Sequence, residues 1–173
     1  MSDKMKKLTI NAVMIAMCAV LGYTSLDFGS LKITFESLPI LLSAFLFGPV
    51  DGMIVGGMGT FIYQMLRYGF SATTLIWMLP YVVCGLMAGI WAKKYDFKMT
   101  GRQVMAAVIA CELVITILNT GAIYIDSHIY GYYTPALILG GLLPRFAICI
   151  GKAIAFGLVL PAIIKPVRSN LAA

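Results

Sequence analysis

The sequence predicts an all-α membrane protein, a bundle of six transmembrane helices with both termini on the cytoplasmic side. Of its 173 residues, 61% are hydrophobic and 12% are charged, which is about half the charge of an average soluble domain. The apolar residues form six runs, and six spans of about 20 residues each would use nearly the whole chain. A single integral membrane domain covering residues 1–173 is therefore expected, without a soluble catalytic domain.

The six predicted spans cover residues 8–26, 37–48, 50–67, 72–92, 102–125 and 139–164. The first follows a lysine-rich start and has no cleavage site, so it is expected to be a retained helix. The second is too short to cross a bilayer by itself. The segment before it, residues 27–37, is therefore expected to be an irregular outer loop that forms a lid or a pocket wall.

Local signals mark where the later helices begin. Pro49 suits the first turn of the third helix, since its missing N–H is not needed there. Ser71 is a candidate N-cap for the fourth. Thr100 and Gln103 form the capping-box pattern that starts the fifth.

Glycines recur at helical spacing within the third and fourth spans. Gly52 with Gly56, and Gly85 with Gly89, form two G-x-x-x-G patterns. Such patterns let helix backbones approach closely within a membrane. We expect them to pack helices together and not to bind a ligand.

The net charge of +6 follows from topology. Nine basic residues fall on one side of the predicted spans: Lys4, Lys6, Lys7, Lys93, Lys94, Lys98, Arg102, Lys165 and Arg168. The positive-inside rule places that side in the cytoplasm, which requires an even number of spans. Because these charges form no stripe on a soluble face, binding to nucleic acid is not expected.

Two pairs of polar residues lie deep in the last two spans. Glu112 and Asn119 are seven residues apart, as are Arg145 and Lys152, so each pair occupies one helix face. In antiparallel helices, Glu112 and Lys152 reach the same depth, as do Asn119 and Arg145. An ionisable side chain at such depth costs roughly 2.5–3.5 kcal/mol unless it is paired or lines a cavity. We expect a structural ion pair of Glu112 with Lys152, and a pocket beside Asn119 and Arg145.

The outer side combines aromatic and polar side chains near the predicted helix ends. This composition is typical of a pocket for a small, flat, polar molecule, and Arg145 could hold a carboxylate in a two-pronged geometry. The alternative is an interfacial aromatic belt with solvated charges, above all for Tyr130 and Tyr132. The candidate substrate-binding residues are Phe28, Glu36, Gln64, Arg67, Trp77, Asn119, Tyr124, Asp126, Tyr130, Tyr132 and Arg145.

Catalytic groups are scarce. The only histidine, His128, falls in a predicted outer loop, the four cysteines are dispersed, and no phosphate-binding G-x-x-x-x-G-K-[ST] motif occurs. The sequence therefore predicts no enzyme activity, no catalytic residue, no metal site and no cofactor.

A family resemblance lies in several short motifs. The run Phe35–Pro39, followed by Leu46–Gly52, resembles the start of the S components of energy-coupling factor (ECF) vitamin transporters. Leu118-Asn119-Thr120 and Leu143-Pro144-Arg145 resemble motifs of the folate-type branch. The A-x-x-x-A of Ala12 and Ala16, which Ala19 extends, is similar to the first-helix motif that contacts the scaffold subunit in that family.

The resemblance implies a vitamin-binding subunit in the cytoplasmic membrane of a prokaryote. It would capture a vitamin from outside with high affinity and join a membrane scaffold (T) subunit and two ABC ATPases, with Ala12, Ala16 and Ala19 at the contact. Thr60 stands where folate-type relatives often have an acidic residue, so pantothenate or a pyrimidine precursor remains an alternative to a folate-like ligand. Two other functions also remain open: a structural or assembly protein without a ligand, and a small membrane enzyme.

Overall fold

The computed structural model describes residues 3–28 and 31–172, and their side chains except those of residues 3, 27, 28, 31 and 170–172. Within these residues the chain forms six helices and one short hairpin, which confirms the predicted helical bundle. In order, the elements are α1 Asp3–Tyr23, β1 Leu26–Phe28, β2 Leu31–Ile33, α2 Ser37–Phe47, α3 Pro49–Tyr68, α4 Thr74–Lys94, α5 Gly101–Ile129 and α6 Pro135–Ala172.

Four of the helices are long and apolar enough to cross a membrane: α1, α4, α5 and α6. Helix α2 has 11 residues, which is about 16 Å of helix, so it is too short to span the bilayer alone, as the sequence predicts. Helix α3 has 20 residues, but its polar residues and glycines lower its hydropathy. It packs between α1, α2 and α4.

The segment before α2 is more regular than the sequence predicts. Strands β1 and β2 pair in antiparallel register, with Leu26 opposite Ile33. The expected irregular outer loop is therefore a small hairpin that leads from α1 into α2.

The predicted helix starts are confirmed at two positions and wrong at one. Pro49 is the first residue of α3, and the Thr100 backbone N–H donates to Gln103 Oε1 at 2.8 Å at the start of α5. Ser71 does not cap α4, because Thr73 occupies the N-cap position. The backbone N–H of Ser71 instead donates to the Thr74 hydroxyl in the turn before the helix.

The glycine patterns of α3 and α4 face each other. A Cβ atom added at Gly52 would lie 2.7 Å from the carbonyl oxygen of Gly85, and one added at Gly56 would lie 2.5 Å from the carbonyl oxygen of Tyr81. Only glycine allows the two backbones to approach this closely. The close contact between α3 and α4 thus confirms the predicted packing role of these glycines.

Buried polar contacts join α1, α2 and α3 at the basic end of the bundle. Asn11 Nδ2 donates to Asp51 Oδ1 at 2.6 Å, and the Ser43 hydroxyl donates to Asn11 Oδ1 at 2.8 Å. Lys7 completes the network with an ion pair to Asp51 at 2.8 Å. These bonds fix α1 against the rest of the bundle.

Candidate functional site

A cavity of about 770 Å³ lies between β2, α3, α4, α5 and α6. It lies at the opposite end of the bundle from the basic residues near the two termini and in the connection between α4 and α5. Eight of the predicted substrate-binding residues line it: Glu36, Gln64, Trp77, Asn119, Asp126, Tyr130, Tyr132 and Arg145. The helices bring these side chains together from positions far apart in the sequence. The volume is within the usual range for a small-ligand pocket.

The deep end of the cavity contains an ion pair. Lys152 Nζ lies 2.9 Å from Glu112 Oε2, and the Ser37 hydroxyl donates to Glu112 Oε1 at 2.6 Å. Glu112 is 1% exposed. The pairing predicted from matching depth is therefore present, and both of its members also line the cavity.

Asn119 and Arg145 carry hydrogen-bonding atoms without a partner among the described residues. These are the carbonyl oxygen Oδ1 of Asn119 and the nitrogen Nη1 of Arg145, both of which are buried. The other terminal nitrogen of Arg145 donates to the Leu137 carbonyl at 3.4 Å. A buried polar atom without a partner costs about 1–3 kcal/mol. A bound molecule with one acceptor and one donor would satisfy both atoms.

Glu36 connects the cavity to α1. Its carboxylate is 1% exposed, and a Cβ added at Gly22 of α1 would lie 2.9 Å from its Oε2. The same carboxylate lines the cavity. Glu36 is thus positioned between the interior of the pocket and the first helix.

The carboxylate of Asp126 is occupied by protein donors. Its Oδ1 accepts hydrogen bonds from the Thr73 hydroxyl and from Trp77 Nε1, the latter at 3.2 Å. Its Oδ2 accepts a hydrogen bond from the hydroxyl of Tyr132. Burial, followed by the bond to Asp126, raises the pKa of Tyr132 to about 12, so this phenol is protonated at neutral pH. Asp126 therefore holds Trp77 and Tyr132 at the mouth of the cavity.

Lys32 adds a positive charge to the pocket, although its place near the predicted surface keeps it out of the candidate substrate-binding residues that the sequence predicts. Its Nζ donates to the Tyr68 hydroxyl at 3.0 Å and lies 4.3 Å from the ring centre of Tyr63. All three side chains line the cavity. The two tyrosines belong to α3, more than 30 residues after Lys32, so only the fold brings the three side chains together.

Three predicted residues are not among the lining side chains. Arg67 donates to the Tyr23 carbonyl at 2.9 Å and to the Ser25 hydroxyl at 2.7 Å, outside the cavity. Tyr124 is half exposed, and its ring packs 4.3 Å from that of His128. The side chain of Phe28 lies outside the described residues.

The predicted partner-binding residues divide between two environments. Ala12 and Ala16 are exposed on α1, where Val13 and Val20 are exposed as well. Ala19 is 6% exposed. It is seven residues from Ala12 and so lies on nearly the same face of the helix, but two turns further along, where the rest of the bundle covers α1. The exposed apolar surface of α1 therefore includes Ala12 and Ala16 but not Ala19.

Comparison with known proteins gives one family match and several structural likenesses. A family model described as "ECF transporter, substrate-specific component" matches residues 6–164. A UPF0397 protein of Streptococcus thermophilus is 30% identical over 81 residues, which are 47% of this chain and 44% of that protein. The chain thus spans less than half the length of the curated relatives it matches.

Three solved structures share the fold over almost their full length. The S component of a bacterial ECF transporter has a TM-score of 0.65 and 23% identity, covering 98% of this chain and 99% of that one. The S-component for biotin from an ECF-type ABC transporter has a TM-score of 0.72 and 16% identity, covering 98% and 95%. FolT bound with folic acid has a TM-score of 0.65 and 23% identity, covering 92% and 89%.

Proposed function

Because the chain belongs to the family of substrate-specific components of ECF transporters, we propose that it captures a small vitamin from outside the cell and delivers it to an ATP-driven import complex. The family consists of transporter components and not of enzymes. Its members are integral membrane proteins, which agrees with the four apolar helices long enough to span a bilayer.

The observation that carries the proposal is a group of buried polar atoms in the cavity without a partner among the described side chains, which also includes Glu36 Oε2. Asn119 Oδ1 and Arg145 Nη1 are buried without a partner among the described side chains. Both belong to α5 and α6, the two helices whose polar faces the sequence predicts to meet. A purely structural bundle gains nothing from these unpaired groups, whereas a ligand-binding protein gains affinity when a ligand satisfies them.

The lining favours a flat ring system with a carboxylate. Trp77, Tyr63, Tyr130 and Tyr132 offer faces for stacking. Arg145 suits an anionic acceptor. Among the described cations that line the cavity, its guanidinium has a buried nitrogen without a hydrogen-bond partner. Biotin and folic acid, the vitamins of two structurally similar proteins, both combine a ring with a carboxylate. A folate-like molecule is our first candidate, with pantothenate or a pyrimidine precursor as the alternatives.

The partners and location follow from the same proposal. We expect one membrane domain in the cytoplasmic membrane of a prokaryote, with both termini inside. A membrane scaffold (T) subunit and two ABC ATPases would supply the energy, and the exposed face of α1 at Ala12 and Ala16 would contact the scaffold. The cavity then opens outward, opposite the basic end.

The test is to identify the ligand and then to remove one contact. Mass spectrometry of protein purified in mild detergent should find a co-purifying vitamin, and titration of ligand-free protein should give tight binding. Arg145→Ala should weaken binding about 10- to 100-fold, since a hydrogen bond to a charged group is lost. Arg102→Ala, which removes an exposed arginine at the other end, should leave binding unchanged.

Two results would contradict the proposal. Absence of binding to every vitamin tested would favour the structural or assembly role. Unchanged affinity in folded Arg145→Ala would show that the ligand does not use this arginine.

A further inference from the structure

A second cavity, of about 360 Å³, lies at the basic end of the bundle. Its walls are the connection between α4 and α5, the first turn of α5 and the last turns of α6. The apolar part of the lining is Phe97, Met99, Val104, Pro161 and Ile164. Lys165, Arg168 and Ser169 form its polar edge. Among the described residues that line it, none is acidic.

Hydrogen bonds hold both sides of this cavity in place. Phe97 adopts a φ of 59°, and its backbone N–H donates to the Ala92 carbonyl at 2.9 Å, which closes a turn directly after α4. On the other side, Arg168 donates to the Phe45 carbonyl at 3.2 Å. One cation is thus fixed at the rim, while Lys165 is exposed one turn earlier on the same helix.

The length of α6 indicates the depth of this cavity. The helix has 38 residues, which is about 57 Å at 1.5 Å per residue, whereas the hydrocarbon core of a bilayer is about 30 Å thick. Because its last turns carry Lys165 and Arg168, we place this end of the helix beyond the hydrocarbon, in the headgroup layer. Pro161 and Ile164 then lie at the apolar edge, and Lys165 and Arg168 lie at the level of the lipid phosphates.

We propose that this cavity binds an anionic phospholipid of the inner leaflet. The phosphate lies against Lys165 and Arg168, and the first part of an acyl chain lies against Phe97, Met99 and Pro161. The order of the two surfaces, apolar toward the membrane centre and cationic toward the cytoplasm, matches that of a lipid molecule. A soluble anion would leave the apolar wall uncovered, and an acidic protein segment would have to reach into the membrane edge. Basic pockets on the cytoplasmic side of transmembrane helices commonly recognise such headgroups. This inference rests on the membrane location and the orientation given in the proposed function, and it is independent of the vitamin.

Native mass spectrometry of the full-length protein tests the proposal, with phosphatidylglycerol and phosphatidylcholine supplied in equal amounts. We expect retention of phosphatidylglycerol over phosphatidylcholine. Lys165→Gln should reduce that preference about fivefold. Lys94→Gln removes an exposed lysine at the same end that does not line the cavity, so it should retain the preference.

A second variant tests the apolar wall without changing the charge. Gly101 lines the cavity, and a Cβ added there meets nothing within 4 Å, so Gly101→Leu fills space while the helix has room for it. This variant should lower phosphatidylglycerol retention. Gly151→Leu should not, because Gly151 lies in α6 outside the cavity and a Cβ there also meets nothing within 4 Å.

Four results would overturn the proposal. They are equal retention of the two lipids, equal effects of Lys165→Gln and Lys94→Gln, unchanged retention in Gly101→Leu, and displacement of the lipid by millimolar inorganic phosphate. A photo-crosslinker at Met99 that captures a scaffold or ATPase chain in the assembled transporter, and no lipid, would assign the cavity to a protein partner.

Discussion

The guanidinium of Arg145 lies against Gly141, one turn earlier in the same helix. A Cβ atom at position 141 would lie 3.0 Å from both Cζ and Nη2 of Arg145. Because these atoms are at the far end of a flexible side chain, crowding there would move the arginine and leave the helix in place. Gly141 therefore sets the direction in which Arg145 enters the cavity.

The first prediction uses this contact. Gly141→Ala should weaken ligand binding about tenfold, equivalent to about 1.4 kcal/mol, because the guanidinium is displaced from the ligand. Thermal stability should not fall, since alanine favours a helix over glycine by up to about 1 kcal/mol. Gly140→Ala is the matched control, because a Cβ there meets nothing within 4 Å. Equal affinities of the two variants would show that Gly141 does not direct Arg145.

The second prediction concerns the ion pair at the deep end of the cavity. Lys152→Met leaves the carboxylate of Glu112 buried without its cation, which should destabilise the protein by about 3–5 kcal/mol. The double variant Glu112→Leu/Lys152→Met should recover part of that loss, as coupled residues do. Thermal unfolding in detergent measures both effects. Full stability of Lys152→Met together with lost binding would assign the pair to the ligand instead of to the fold.

The third prediction concerns Asp126 as the residue that holds the cavity mouth. Asp126→Asn replaces one acceptor oxygen by an amide, so either Tyr132 or Trp77 loses its partner. We expect ligand dissociation to become about tenfold faster, because hydrogen bonds to a charged group are worth about 1.5–3 kcal/mol. Stopped-flow measurement of dissociation tests this. Asp96→Asn, at an exposed aspartate in the turn after α4, should dissociate at the wild-type rate.

The helices and the ion pair of Glu112 with Lys152 could be predicted because the features that determine them, apolar runs and the depth of a residue within a run, are visible in the sequence. A long apolar run predicts a membrane helix, and matching depths in consecutive antiparallel helices place Lys152 opposite Glu112. The hairpin could not be predicted in this way. Its strands have three residues each, too few for an alternating pattern to be recognised.

The details of the site depend on contacts between distant segments. Asp126 is a polar residue near a helix end, and nothing in its neighbourhood in the sequence shows that Thr73 and Trp77 of α4 occupy its oxygens. Lys32 is likewise assigned to the pocket only once the hairpin carries it over Tyr63. Such pairings depend on the tertiary packing of helices, which a single sequence does not specify.

The fourth prediction tests the contact between α3 and α4. A Cβ at Gly85 would overlap the backbone carbonyl of Gly52, and backbone cannot move aside as a flexible side chain can. Gly85→Ala should therefore destabilise the protein by about 1–3 kcal/mol, as overpacking does. Gly151→Ala in α6, where the added atom meets nothing within 4 Å, should be neutral or stabilising. Thermal unfolding of the two variants gives the comparison, and equal midpoints would contradict the close approach.

The fifth prediction separates ligand capture from assembly. Ala12 and Ala16 are exposed on α1, outside the residues that line the cavity, so a large side chain there has room in the isolated protein but obstructs a close helix contact. Ala16→Trp should therefore bind the vitamin with unchanged affinity while failing to co-purify with the scaffold subunit and the ATPases. Ala155→Trp places the same bulk on an exposed position of α6 and should assemble normally. If Ala16→Trp assembles as well as Ala155→Trp, the scaffold does not contact this face of α1. If both variants fail, tryptophan on any membrane-facing surface is disruptive, and the contact has to be located by crosslinking from α1.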